Sequence, residues 1–283
     1  MKIARFGAIG QERPGVLLPD GSIADVSSLV SDILPGTESL NGLLTAKPVS
    51  LVSLPKAPPN VRLGCPIGTI GKVVGVGLNY REHAKESNAA IPNEPIIFLK
   101  ANTSISGPND DVILPRNSAK TDWEVELAVV IGRRASYVTK ERAIEYVLGY
   151  SICNDVSERG HQLERGGQWT KGKSHDTFCP IGPWLVTADE VPNPQALRLW
   201  CDVGNTHRQD SNTSDMIFTV AECVSYISEF MTLLPGDVIT TGTPQGVGLG
   251  LKPPQYLSAG DTMRLGIDGL GEQFQHVKPP NSN

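Results

Sequence analysis

A mainly β fold with some α-helix is what this sequence predicts, and three observations carry the expectation. Apolar segments are short and numerous, few stretches read as helix, and glycine (29 of 283 residues) and proline (22) supply frequent turns. Residues 1 to about 65 hold apolar pieces at Ile3 to Phe6, Val16 to Leu18 and Ile23 to Val26, broken by the turn signal Pro19-Asp20-Gly21. They predict a small N-terminal β-rich domain, residues 1–65, with one short helix. Leu54 to Asn60 reads as a linker, because Pro55, Pro58 and Pro59 stiffen it and forbid helix. A larger domain follows over residues 66–283, its first strand beginning near Lys72. Strands are expected at Val73 to Val76, Ile96 to Leu99, Val125 to Ile131, Tyr150 to Asn154, Leu197 to Val203 and Asp237 to Thr241. Helices are expected at Tyr80 to Ser87, Lys140 to Tyr146 and Val220 to Thr232.

Composition narrows the function by exclusion. A net charge of −5 leaves no basic footprint for nucleic acid or an anionic membrane surface. No apolar run is long enough for a membrane span, and Met1 to Gly7 lacks a signal-peptide core, so neither membrane nor secretory context is expected. The five cysteines are scattered without a C-x-x-C pair and read as reduced thiols of a cytoplasmic protein.

The stretch from Trp123 to Ile131 is the most telling. Alternation on a strand puts Glu124 and Glu126 on one face and Val125, Leu127 and Val129 on the other. Two acids at the head of an apolar strand repel each other and resist burial unless a cation sits between them. Asp155, after the strand-like Tyr150 to Asn154, supplies a third carboxylate. Three hard oxygen donors without adjacent His or Cys favour Mg²⁺, or Mn²⁺, over zinc. The bland alternative is a solvent-facing edge strand with Asp155 capping a turn.

A second constellation runs from Gly75 to Glu86. Asn79 and Glu82 form an Asn variant of the capping box, which starts a helix at Tyr80 and sets His83 and Glu86 on one face. A carboxylate beside an imidazole can orient it as a general base, or the two are an ordinary exposed pair. Gly75-x-Gly77 is no dinucleotide fingerprint, because Tyr80 stands where the third glycine belongs. Lys171 to Phe178 gathers lysines and His175 in a glycine-punctuated loop, and the loop after Thr241 offers amides and the Thr243 hydroxyl to a carboxylate.

Taken in order, these segments resemble the fumarylacetoacetate hydrolase family. The motifs are G-x-G-x-N-Y-x-x-H-x-x-E at 75–86, P-x-x-F-x-K at 95–100, D-x-E-x-E-L at 122–127 and G-Y-x-x-x-N-D-V-S at 149–157. K-S-x-D-T-F-x-P-I-G-P at 173–183 and P-G-D-V-I-x-T-G-T-P-x-G-V-G at 235–248 complete them. One departure is Asp202-Val203-Gly204-Asn205, where many relatives carry V-N-G. The resemblance implies a sandwich-like β catalytic domain behind a small β-rich one, usually in a homodimer. It implies a Mg²⁺ site (Mn²⁺ as the other choice) from Glu124, Glu126 and Asp155, and a water-activating pair, His83 and Glu86, on a lid-like segment. Lys173 is the matching active-site lysine, with Tyr80, Lys100, Gln162 and Thr243 as substrate contacts.

The activity so implied is hydrolysis of a carbon–carbon bond in a 2,4-diketo acid, giving pyruvate and a second carboxylic acid. Gly166 to Lys171 looks similar to members acting on sugar-derived substrates, the diketo-deoxyrhamnonate type, whose second product is lactate. Three rivals remain: a decarboxylase or isomerase on the same enolate platform, a ureidoglycolate-type lyase, and a metal-stabilised binding protein without catalysis.

Overall fold

The computed structural model describes residues 1–45 and 48–280, with backbone alone for Pro48 and Val49. At its centre lies the strand Val125–Ile131, buried at every position. A strand apolar on both faces needs a core on each side, and it has both. Val125, Leu127, Val129 and Ile131 join one cluster with Leu199, Leu265 and Ile267, while Ala128 and Val130 join another with Ile3, Val16 and Leu185.

That strand belongs to an eleven-stranded mixed sheet. The path through it runs Ile23–Asp25, Arg13–Leu17, Lys2–Phe6, Cys179–Thr187, Val147–Asn154, Val125–Ile131, Val238–Thr240, Val73–Gly77 and Ile96–Lys100. A five-stranded sheet, Thr206–Asn212, Arg198–Val203, Thr262–Ile267, Gly271–Lys278 and Val112–Ile113, closes the first core from the other side. Helix Val220–Phe230 covers an end of that core with Val220, Val224 and Ile227, and the Thr219–Glu222 capping box starts it. The fold is therefore mainly β, as the turn-rich composition led one to expect. No helix among the described residues is long and apolar enough to cross a membrane. All five cysteines are buried and free.

The main sheet continues across the expected 65/66 boundary: Lys2 is paired with Val186, and Ile3 with Leu185. Nor is Leu54 to Asn60 a free linker, since Asp25 N–H donates to Pro55 O and Ala57 N–H to Ile23 O, both at 2.8 Å. The N-terminal region carries two short helices, Glu38–Leu44 and Pro48–Val52, where one was expected.

Four strands of six residues or more lie outside the sequence reading: Cys179–Thr187, Thr206–Asn212, Thr262–Ile267 and Gly271–Lys278. The first contains Pro180, Gly182 and Pro183, and a register shift in the neighbouring strand accommodates them. Thr206–Asn212 is polar because it is the edge of its sheet. Gly204 and Asn205, the departure noted above, make the two-residue turn that leads into it.

The helix expected from Tyr80 begins at Arg81, and its cap differs. Tyr80 is the N-cap and makes no capping side-chain bond. Asn79 instead spans two loops, accepting from Phe218 N–H and donating to Thr241 O, each at 2.8 Å. Fully buried, Asn79 satisfies distant backbone groups in preference to the helix amides. Lys140–Tyr146 is a 3₁₀ helix.

Candidate metal centre and active site

Strand pairing brings the three acids together. Glu126 stands opposite Cys153 and Val125 opposite Asn154, and Asp155 N–H donates to Glu124 O at 2.9 Å. One carboxylate oxygen from each of Glu124, Glu126 and Asp155 lies within 4.8 Å of the others. They are 4%, 2% and 0% exposed, which removes the solvated-edge alternative.

Cations hold two of the three. Lys173 Nζ contacts Glu124 Oε2 and Asp155 Oδ2, both at 2.6 Å, and Lys100 Nζ lies 2.5 Å from Asp155 Oδ1. Arg159 reaches Glu124 Oε1 at 2.6 Å and Asp122 Oδ2 at 2.8 Å. Burial pushes the Glu124 carboxyl up, but Arg159 and Lys173 outweigh it and hold the group at about 2. Lys173 is pulled down by burial and raised on balance by Asp155 and Glu124.

Glu126 differs. Among the described residues it has no ion-pair partner, and its Oε2 accepts the Gly242 N–H at 2.8 Å. Burial and then the neighbouring Asp155 and Glu124 charges push its pKa well above the carboxylate range. A buried acid beside two carboxylates that cations already hold leaves an electrostatic gap that a divalent cation would fill, and an all-carboxylate donor set suits Mg²⁺ or Mn²⁺. Glu124, Glu126 and Asp155 are the residues that would hold it.

The acids open onto a cavity of about 310 Å³, which His83, Gln162, Lys173 and Thr243 also line. His83 Nδ1 lies 3.2 Å from Glu86 Oε2, and Glu86 in turn accepts the Gly246 N–H at 3.0 Å. The imidazole thus faces the cavity while its partner is anchored to the loop after Val238–Thr240. Gln162 Oε1 accepts from Arg159 Nη1 at 3.1 Å. Lys100 is buried behind Asp155 and lies outside the cavity lining. Tyr80 is also outside it, fully buried, with a hydroxyl that finds no hydrogen-bond partner among the described residues. The Thr243 hydroxyl donates to Val125 O at 3.0 Å and accepts from Gln209 at 2.9 Å, so its proton is already committed.

Three residues of this site are given no role of their own in the sequence reading. Arg159, four positions after Asp155, is a buried cation joining Asp122 to Glu124. Trp169 lines the cavity and seats its indole on Gly77: a Cβ there would lie 2.1 Å from Trp169 Cζ3. Phe98 likewise fills the space a Gly75 Cβ would take, at 2.2 Å. The G-x-G pair is therefore spacing for two aromatic rings, and the turn at Gly166 and Gly167, φ +79° and +68°, precedes Trp169.

Gln209 is the third. It accepts Val125 N–H at 3.0 Å and donates to Thr243 Oγ1 and Pro244 O, tying the acid-bearing strand to the loop over it. Gln209→Ala orphans the Val125 amide in a dry interior, at a cost of about 1–3 kcal/mol. Chemical denaturation should register that loss as a lower midpoint with an unchanged slope, and an unaltered midpoint would contradict it.

With this geometry in place, comparison with known proteins is informative. The fumarylacetoacetate (FAA) hydrolase C-terminal family profile matches residues 72–278. A Burkholderia ambifaria protein to which a hydrolase activity is attributed is 53% identical over 98% of this chain and 99% of its own. A fumarylacetoacetate hydrolase from Exiguobacterium antarcticum superposes with a TM-score of 0.87 at 38% identity, covering 99% of both chains. Maleylpyruvate hydrolase from Sphingobium sp. SYK-6, solved with manganese(II) and pyruvate, gives 0.82 at 32% identity over 99% of this chain and 100% of that one. A 2-hydroxyhepta-2,4-diene-1,7-dioate isomerase from Mycobacterium marinum gives 0.75 at 34% identity over the whole of both. Profile, sequence and structure agree with the ordered motifs: the chain belongs to the fumarylacetoacetate hydrolase family.

Proposed function

We propose that this protein is a Mg²⁺- or Mn²⁺-dependent hydrolase that cleaves the C3–C4 bond of a 2,4-diketo acid, releasing pyruvate and a second carboxylic acid. The observation that carries the reading is that the His83–Glu86 pair and the three acids open on one cavity. When bound, the cation supplies Lewis-acid polarisation of the substrate oxygens.

The chain's own groups do the rest. His83, with Nδ1 turned to Glu86, takes a proton from water at its other ring nitrogen. The hydroxide adds to C4, and the C3–C4 electron pair passes to the pyruvate fragment as an enolate. Lys173, buried and cationic, lies where it can offset that charge as it develops, and C3 then takes up a proton. Isomerisation or decarboxylation on the same platform needs no activated water, so the His83–Glu86 pair at the cavity favours hydrolysis.

Metal-free protein resupplied with Mg²⁺ should release pyruvate from an acylpyruvate, and EDTA should stop it. Equal release with and without chelator would overturn the metal dependence. No release in either tube would favour the binding-protein rival.

A further inference from the structure

We infer that Asp122 is a positioning residue for both halves of the site: it holds Arg159 against Glu124 and, through the loop from Gly246 to Gly250, Glu86 against His83. The inference rests on the proposed reaction and deepens it.

Asp122 is a fixed point outside the cavity lining. It lies on the short strand Thr121–Asp122, opposite Ser157 of the strand that leads into helix Arg159–Leu163. Its carboxylate is fully buried and accepts four hydrogen bonds. Oδ1 takes the Trp123 and Gly248 N–H groups at 2.9 and 2.7 Å. Oδ2 takes the Leu249 N–H at 3.0 Å and Arg159 Nε at 2.8 Å.

Arg159 is the first arm. Gripped at Nε by Asp122, it reaches Glu124 Oε1 at 2.6 Å and donates to Gln162 Oε1 at 3.1 Å. The guanidinium is a planar, rigid fork, so fixing one edge fixes where Glu124 meets the other.

The loop is the second arm. Two residues before Gly248, the Gly246 N–H donates to both Glu86 oxygens, at 3.0 and 3.2 Å. One residue after Leu249, Gly250 stands so close that a Cβ would lie 2.3 Å from Glu86 Cδ. The loop that Asp122 ties down is therefore the seat of Glu86, which faces His83 Nδ1 at 3.2 Å. A carboxylate held there keeps the ring proton on Nδ1 and leaves Nε2 to take one from water.

Asparagine offers one acceptor oxygen where four donors converge. Whichever way it turns, its NH₂ faces two N–H groups that lose their partner. Asp122→Asn therefore loosens both arms, whereas Gly250→Ala crowds Glu86 directly and disturbs the second arm alone.

The test reads each arm without turnover, on the metal-free full chain. Heteronuclear NMR of isotope-labelled histidine, in mildly alkaline buffer where imidazole is neutral, reports the His83 tautomer, and His83→Ala identifies its signals. Mn²⁺ calorimetry reports the acids. The wild type should carry the His83 proton on Nδ1. Asp122→Asn should shift that population towards Nε2–H and weaken Mn²⁺ binding about 10- to 100-fold. Gly250→Ala should shift the tautomer with Mn²⁺ affinity within about twofold of wild type. With Mn²⁺ saturating, pyruvate release by Asp122→Asn should still fall about tenfold or more. A residue that only supports the fold would leave tautomer and metal affinity unchanged in folded Asp122→Asn, and that result would overturn the inference. A change in only one of the two would overturn it as well, as would an Nε2–H ring in the wild type. Should Asp122→Asn not fold, Gly250→Ala decides, because an unchanged tautomer there breaks the relay. Absence of pyruvate from every acylpyruvate would instead overturn the proposed reaction, while the tautomer and Mn²⁺ readouts still decide the role of Asp122.

Discussion

Glu126→Gln is expected to abolish turnover and divalent-metal binding together while the fold survives. Glutamine keeps the shape and keeps an oxygen for the Gly242 N–H, but it removes the carboxylate of the proposed ligand that has no ion-pair partner among the described residues. Losing the Lewis acid costs several kcal/mol of transition-state stabilisation, which corresponds to a fall in kcat/KM of about 10³-fold or more. Stability should move the other way. Metal-free wild type holds Glu126 buried against Asp155 and Glu124, so the neutral amide relieves repulsion and desolvation at once. Thermal melting without metal should place the variant at or above the wild type. A variant that melts lower, or one that turns over normally, would contradict this account of the site.

His83→Ala should separate chemistry from metal binding. The imidazole contacts Glu86 and is not one of the three carboxylate ligands, so Mn²⁺ affinity should stay within a few-fold of wild type. Pyruvate release should drop by about 10²–10⁴-fold, the usual worth of a positioned general base. Raising buffer or hydroxide concentration should recover part of the rate, because an external base can then do the same work. Undiminished hydrolysis would place the base elsewhere and strengthen the isomerase reading.

How much of this site can be read along the chain depends on how local its causes are. Alternation alone puts Glu124 and Glu126 on one face of Val125–Ile131, and Asp155 follows from the next strand. His83 and Glu86 are three residues apart on one helix, so their meeting is also local. Arg159 was missed because its partners, Asp122 and Glu124, lie more than thirty positions upstream and meet it only through strand pairing. Gln209 looks like an ordinary polar residue on an edge strand, and its hydrogen bonds to Val125 and Thr243 exist only once two sheets pack together.

The misplaced details share that origin. Asn79 obeys a local capping rule that burial overrides, because distant backbone groups at Phe218 and Thr241 require it. Cys179–Thr187 carries two prolines and a glycine that argue against a strand, yet it pairs on both sides with help from an irregular neighbour. Gly75 and Gly77 are set aside as a dinucleotide fingerprint without another role, whereas both sit in a strand and make room for Phe98 and Trp169. In each case packing between elements decides the outcome, and single-chain patterns do not encode it.

The most direct test of the metal-centred account is a calorimetric titration of Mn²⁺ into chelator-stripped protein at neutral pH, beside Glu126→Gln under the same conditions. One saturable site per chain in the wild type, absent in the variant, is the expected result. Binding of equal strength in both, or no saturable binding to the wild type, would contradict the claim that Glu124, Glu126 and Asp155 hold the catalytic cation.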